Sequence, residues 1–383
     1  MSILPKLLGA SSLCAWAYLA FFRGRFWRSN SVAPPQLDAR ATALPEVIVL
    51  VPARNEAANI KRCVESVLRQ DYAGKLNLVV IDDNSSDGTA ELATQAAHAA
   101  GAIDRFRLVH ALSPPPGWTG KLWALSEGLR ELSNPDYFLF TDADIEHDAK
   151  SVGELVARAE AGKFDLVSLM VKLRCETLAE RALVPAFVFF FFMLYPPAWV
   201  AGAQRKTAAA AGGCILIRPG ALRRIGGFRA IRGELIDDCA LAKRVKATGG
   251  RIWLGLTENT ISLREYGSWR EIEQMISRTA FTQLRYSPVL LAATVAGLLL
   301  TLVAPPVLLF AGSSAAAMGF AAWLLMAICF WPTLRFYRRS PLWAPFLPLI
   351  SILYLVATIH SAILHWQRRG GLWKGRIHES VGA

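Results

Sequence analysis

The chain lacks the marks of several common protein classes. Its 383 residues include six cysteines, Cys14, Cys63, Cys175, Cys214, Cys239 and Cys329, and none forms a Cys-x-x-Cys pair. No zinc site or disulfide framework is indicated, which fits a reducing compartment. No Gly-x-Gly-x-x-Gly follows the first strand-like run, so a dinucleotide fold would lack its phosphate loop. Gly117-Trp118-Thr119-Gly120-Lys121-Leu122 has neither the spacing nor the final Ser or Thr of a P-loop. The isolated histidines His98, His110, His147, His360 and His365 show no ligand spacing. Acidic residues are outnumbered, 30 against 42 Lys and Arg, for a formal net charge of +12. The basic residues border apolar runs, which points to anionic lipid beside membrane spans and away from nucleic acid.

Long hydrophobic runs are plentiful, and 53% of residues are hydrophobic. Residues 3–22 carry one charge, Lys6, and are followed by Arg23, Arg25 and Arg28. A cleaved signal peptide has its positive cluster in front. Here it lies behind, the pattern of a membrane anchor (1–29) with the following chain in the cytoplasm. A Pro-containing linker covers 30–45. Residues 288–310, 313–331 and 340–366 are three uncharged stretches within a C-terminal membrane region, 287–366, that precedes a basic tail, 367–383. If all three cross, Arg335, Arg338 and Arg339 face the side opposite Arg368, Arg369, Lys374 and Arg376, against the positive-inside tendency. Pro341, Pro345 and Pro348 allow the last stretch to dip instead.

Between the ends, 46–286 alternates short apolar runs with helical patterns, as a parallel α/β sheet does. Strands are expected over 46–52, 76–81, 106–109 and 137–141, with helices over 57–70, 89–100 and 120–132. Polar clusters follow Pro52, Ile81 and Thr141, where ligands bind in such sheets. The run Tyr137-Phe138-Leu139-Phe140-Thr141 ends in Asp142 and Asp144, which share one side of an extended chain. Two close carboxylates repel unless a cation intervenes, and Mg²⁺ or Mn²⁺ would leave positions for phosphate oxygens. Capping of a following helix is the other reading. Farther on, Gly212-Gly213-Cys214 opens a strand, and Asp237-Asp238 opens a helix, where acidic residues also suit the dipole.

Pro52-Ala53-Arg54-Asn55-Glu56, Asp82-Asp83-Asn84-Ser85-Ser86-Asp87-Gly88-Thr89, Thr141-Asp142-Ala143-Asp144 and Asp237-Asp238 occur in the order found in family 2 glycosyltransferases, which the chain resembles over roughly 45–286. The segments 116–124 and 278–286 look like those of the hopanoid-biosynthesis-associated membrane glycosyltransferases, relatives of ceramide glucosyltransferase. The resemblance implies a GT-A fold, a Rossmann-like, mostly parallel sheet. It implies a nucleotide-sugar donor contacted by Pro52, Arg54, Glu56, Asp82, Asp83, Lys121 and Asp142, and a metal on Asp142 and Asp144. Asp238 would be the general base with Asp237 beside it, and Gly213, Cys214, Arg285 and Tyr286 would lie on the acceptor side. Two positions depart from the family pattern. Asp237 stands where Glu is usual, and Thr282-Gln283-Leu284-Arg285-Tyr286 replaces Gln-x-x-Arg-Trp, which favours a single transfer to a membrane lipid over polymer synthesis.

Residues 182–204 are apolar enough to span, yet one crossing there would put Asp142 and Asp238 on opposite sides of the membrane. An interfacial or re-entrant segment is expected, broken by Pro185, Pro196 and Pro197, with an ordinary buried helix as the alternative. The whole reads as an inverting, metal-dependent glycosyltransferase, multi-pass in the cell membrane, its catalytic domain on the cytoplasmic face. Its rival is a catalytically silent scaffold that kept the fold and binds lipid or a partner enzyme.

Overall fold

The computed structural model describes residues 3–28, 44–130, 132–367 and 369, and the backbone alone at 372–373 and 376–377. Most of the expected linker 30–45 and tail 367–383 lies outside the described residues. The chain divides into two units. A helical unit takes 1–30, 175–198 and 265–373; a sheet unit takes 31–174 and 199–264, with 374–383. The sequence places 175–198 and 265–286 with the sheet. The structure gives them to the helical unit, because their apolar faces pack on other helices.

The chain opens with α1 (Ile3–Phe21), in the helical unit. The sheet unit follows with β1 (Val47–Ala53), α2 (Ile60–Leu68), β2 (Leu76–Asp82), α3 (Thr89–Ala99), β3 (Phe106–His110), α4 (Gly120–Gly128), β4 (Tyr137–Thr141), β5 (Ile145–His147), α5 (Ser151–Gly162) and β6 (Leu166–Lys172). The helical unit interrupts with α6 (Leu178–Leu194). After α7 (Pro197–Ala201) the sheet unit resumes with β7 (Cys214–Ile217), α8 (Pro219–Arg224), α9 (Asp237–Ala247) and β8 (Ile252–Ser262). The order across the sheet is β3-β2-β1-β4-β7-β6-β8-β5. β7 is antiparallel to both neighbours, and β5 is antiparallel to β8.

Central strands covered on both faces read as unbroken apolar runs. Val47, Val49 and Val51 join Ile60, Val64, Val67 and Ala93 in one core, and Val152 and Leu155 extend it. On the opposite face α4 lies close, and a Cβ at Gly128 would come 2.7 Å from Ile81 Cγ1 and 3.3 Å from Leu50 Cδ2. Ala53 is in register with Asp82, and Leu50 with Phe140, so the loops after β1, β2 and β4 leave one edge of the sheet. Antiparallel pairing sets Cys214 opposite Thr141, which brings the Gly212-Gly213 turn to that same edge. The short or polar strands β5 and β8 and the helix α5 carry weak sequence patterns. Their places come from pairing with neighbours.

The helical unit continues with α10 (Trp269–Gln283), α11 (Pro288–Leu298), α12 (Ala304–Val307), α13 (Ser313–Phe336) and α14 (Leu347–Trp366). Among the described residues, five helical runs, Ile3–Phe21, Leu178–Ala201, Pro288–Phe310, Ser313–Phe336 and Pro341–Trp366, are long and apolar enough to cross a membrane. α6 begins in a capping box: Thr177 accepts from the Glu180 amide, and the Glu180 carboxylate accepts from the amides of Glu176, Thr177 and Tyr266 at 2.8, 3.0 and 2.9 Å. Pro185 sits inside α6 and does not break it; the helix ends before Pro196. Phe189 of α6 packs on Phe330 of α13, and Tyr354 of α14 donates to Leu183 O at 2.7 Å.

Candidate functional site

The site is built at the strand ends of the sheet unit. The loops after β1 and β2 are laced together. Asn55 N donates to Ser85 Oγ, Glu56 N to Thr89 Oγ1, Ala57 N to Asp87 Oδ2 and Ser86 N to Asn55 Oδ1. Asn55 and Asn84 turn the chain at φ 50° and 56°, a conformation Asn tolerates better than most residues. Arg54 and Glu56 are held at this junction. Arg54 donates to Asp83 O at 2.6 Å and lies 3.7 Å from Asp83 Oδ2, with the Asp83 side chain 2% exposed. The Asp82 carboxylate accepts from the Ser85 amide and sits 3.5 Å from His110 Nδ1, so it also braces its own turn.

A shallow recess lies beside this junction, lined by Pro52, Lys121, Phe140, Thr141, Gly212, Asp237 and Asp238 among others. Lys121 enters from the first turn of α4, where Thr119 caps the helix. Its Nζ lies 2.7 Å from Asp142 Oδ1 and 3.6 Å from Asp237 Oδ2. Burial alone would lower its pKa; Asp142, Asp237 and Asp238 overcome that and hold it well above the ordinary lysine range. Residues 116 positions apart in sequence, Lys121 and Asp237, thus share one charge cluster.

Asp238 stands in the first turn of α9. Its Oδ1 accepts from the Cys239 amide at 2.7 Å, and its Oδ2 would be 3.3 Å from a Cβ placed on Gly212. Burial, then the charge of Asp237, raise its pKa to about 7; Lys121 and the amides of Cys239 and Gly212 oppose the rise. Asp144 is raised to about 6, by burial first and then by Asp142 and Glu56, with Arg264 opposing. Asp142 and Glu56 thus both repel Asp144, and Asp142 and Asp144 offer hard oxygen donors. That chemistry fits Mg²⁺ or Mn²⁺ held by two carboxylates, with the rest of the shell from phosphate and water. No group of three His, Cys, Asp or Glu side chains among the described residues forms a ready ligand set.

The structure brings Pro52, Lys121, Asp142, Asp237 and Asp238 together, with Asp144 two residues along from Asp142. Gly213 and Cys214 take other positions. The Cys214 thiol belongs to the core among Val49, Leu139 and Leu216, and burial pushes it up to about 12. The Gly213 carbonyl accepts from Thr141 Oγ1 at 2.8 Å, while a Cβ on it would meet Val171 and Ile145. Gly212 is the glycine that lines the recess, and the run Gly212-Gly213 was its signal in the sequence. Arg285 and Tyr286 belong to the helical unit, both at positive φ (52° and 55°), with Tyr286 stacked on His365 at 4.2 Å. His147 is buried in the sheet unit, lowered to about 4, and bonds Thr141 Oγ1 through Nε2 at 2.9 Å, a structural contact.

Residues 48–226 match the family described as Glycosyl transferase family 2. The chain is 29% identical over 223 residues to "Probable glycosyltransferase YdaM" of Bacillus subtilis, a match covering 56% of this chain and 48% of that protein. It is 35% identical over 117 residues to an "N-acetylglucosaminyltransferase" of Sinorhizobium fredii, covering 30% and 27%. The chain thus spans about half the length of the first of these relatives and less of the second. Among solved structures, the mannosyltransferase PcManGT of Pyrobaculum calidifontis, in complex with GDP-Man and Mn²⁺, superposes with a TM-score of 0.58 at 20% identity. That match covers 94% of this chain and 99% of the other, and shows a shared fold.

Proposed function

We propose that this chain, which carries a family 2 glycosyltransferase domain over residues 48–226, transfers one sugar from a nucleotide-sugar donor to the hydroxyl of a membrane lipid, with inversion. The observation that carries this reading is the meeting of Lys121, Asp142, Asp237 and Asp238 at one recess on the strand-end edge of the sheet.

Asp238 is the general base. Its Oδ2 takes the acceptor hydroxyl's proton while the acceptor oxygen bonds the anomeric carbon. The bond from that carbon to the diphosphate oxygen breaks on the opposite face, and its electron pair leaves with the diphosphate. A base near pH 7 combines adequate ionisation with adequate basicity, and the raised Asp238 carboxyl meets that condition. Asp237 orients it and shares Lys121. Asp142 and Asp144 hold Mg²⁺ or Mn²⁺, which when bound withdraws charge from the leaving diphosphate. The Mn²⁺ and GDP-Man in the mannosyltransferase of like fold support that class of cofactor and donor. Arg54, Glu56, Asp82 and Asp83 form the nucleotide side.

A lipid acceptor, hopanoid or sphingolipid-like, is supported by the five apolar helical runs and by the resemblance of 116–124 and 278–286. The basic cluster after α1 supports a cytoplasmic catalytic domain. The test is incubation of the protein, reconstituted in lipid nanodiscs, with a panel of nucleotide sugars and Mn²⁺. Acceptor-dependent release of nucleoside diphosphate is expected. Neither transfer nor donor hydrolysis with any donor would favour the silent scaffold.

A further inference from the structure

We infer that Lys121 is a positioning residue, an internal counter-ion that withholds Asp142 from metal until a diphosphate draws the ammonium away. This rests on the metal and donor roles proposed above. Lys121 Nζ lies 2.7 Å from Asp142 Oδ1, the carboxylate assigned to metal, and 3.6 Å from Asp237 Oδ2. Gly212 closes one side of it: a Cβ there would be 3.3 Å from both Lys121 Nζ and Asp238 Oδ2. An ammonium has three donors and no acceptor, so the same group that knits these carboxylates competes with any cation for Asp142. A diphosphate offers it stronger acceptors. Metal and donor then bind cooperatively, and the coupling is reciprocal.

The test is Mn²⁺ titration by electron paramagnetic resonance, with and without nucleoside diphosphate. Wild type should bind Mn²⁺ weakly alone and about 10-fold tighter with nucleotide, within the usual range of such couplings. Lys121→Met, or Lys121→Gln should the first fail to fold, should bind Mn²⁺ alone about 10-fold tighter than wild type and lose most of the nucleotide effect. Unchanged or weaker Mn²⁺ binding in the variant, with wild type still binding in the presence of nucleotide, overturns the role of Lys121 alone. Absence of Mn²⁺ binding to wild type with nucleotide overturns the metal reading and this inference with it.

Independent contacts in the helical unit carry a second inference: the geometry points to 340–366 re-entering the membrane without crossing it. Trp323 Nε1 donates to Pro345 O at 3.0 Å. Trp323 lies thirteen residues before the end of α13 at Phe336, about 20 Å back along the helix. The segment Pro341–Phe346 has therefore returned that far before α14 starts. α14 then runs in the same sense as α13. Tyr354 meets Phe190 at the level where Phe189 meets Phe330, and His365 and Trp366 reach Phe281 at the end of α10. α1 shares that sense. Gly9 lies against Met318, while Phe26 packs on Phe189 and Arg23 donates to Met193 O at 2.9 Å.

The basic residues after α1, after α13 and after α14 thus fall on one side, the cytoplasmic side by the positive-inside tendency. α1, the run 288–310 and α13 make three crossings. Impermeant maleimide labelling of single cysteines in vesicles of both orientations, with wild type as blank, tests this. Arg338→Cys and Gln367→Cys should label from the cytoplasmic side and Ser314→Cys from the other. Labelling of Arg338→Cys and Gln367→Cys from opposite sides would mean that α14 crosses.

Discussion

Two carboxylates, a buried one in the helical unit and a half-buried one in the sheet unit, are treated in opposite ways. Glu180, in the helical unit, is fully buried and accepts three backbone amides at the start of α6. Asp238, in the sheet unit, accepts the amide of Cys239 and lies beside Asp237, whose charge works against it. The first arrangement closes a helix end and leaves nothing to do. The second keeps a carboxylate short of compensation, as a group that must gain and lose a proton has to be. An acid closed in by backbone donors is structural; an acid held beside another acid at the strand-end edge of the sheet marks a site.

The largest expected effect breaks the sheet-unit half of this contrast. Chelation by EDTA should abolish sugar transfer, and Asp144→Ala should remove it or raise the Mn²⁺ requirement; full activity in EDTA would sink the metal assignment. Next, Asp238→Asn should lower the rate of transfer about 10²–10⁴-fold, the usual worth of general base catalysis, with donor binding within a few-fold. Asp237→Asn should be milder. The reverse order in a kinetic comparison would exchange their roles, and no effect from either would leave only the helix dipole to explain the pair.

Smaller effects sharpen the contrast through stability. Asp144 has its carboxyl raised to about 6 in the fold, against about 3.9 when unfolded. The folded state then binds more protons between those values, so metal-free stability falls as pH rises through them and stays low above. Asp144→Asn should therefore raise the metal-free protein's stability at pH 8 by an amount of order 1–3 kcal/mol and change little below pH 4. A loss at pH 8 would show that Asp144 is already paired. Glu180→Gln should act in the other direction at pH 8, costing about 1–3 kcal/mol, because an NH₂ would replace an oxygen that accepts amides. Thermal melts of the two variants side by side test the comparison directly.

Much of the sheet unit was legible in the sequence. β1, β2 and β4 are continuous apolar runs that end in Pro, Asp or Thr, because strands buried on both faces can carry nothing else. Asp142 and Asp144 stand out because charge beside such runs is costly unless used; Asp238, at a helix start where acids also suit the dipole, was legible only through the order of motifs. The antiparallel turn of β7 is invisible in Cys214-Ile215-Leu216-Ile217, yet it decides that Gly212 lines the recess and Cys214 enters the core. In the helical unit, Pro185 reads as a breaker but is carried inside α6, where neighbouring helices hold the turn.

By itself the sequence determined which segments are apolar, how long they are and which acids follow them, since burial and hydrogen-bonding periods are written residue by residue. Only the tertiary structure decided which of those acids share one lysine, and that Pro341–Phe346 turns back along α13. Both depend on contacts between residues far apart in the chain, Lys121 with Asp142 and Asp237, Trp323 with Pro345. Ion pairing and packing at such separations follow from how strands and helices are ordered in space, and no local pattern encodes that order.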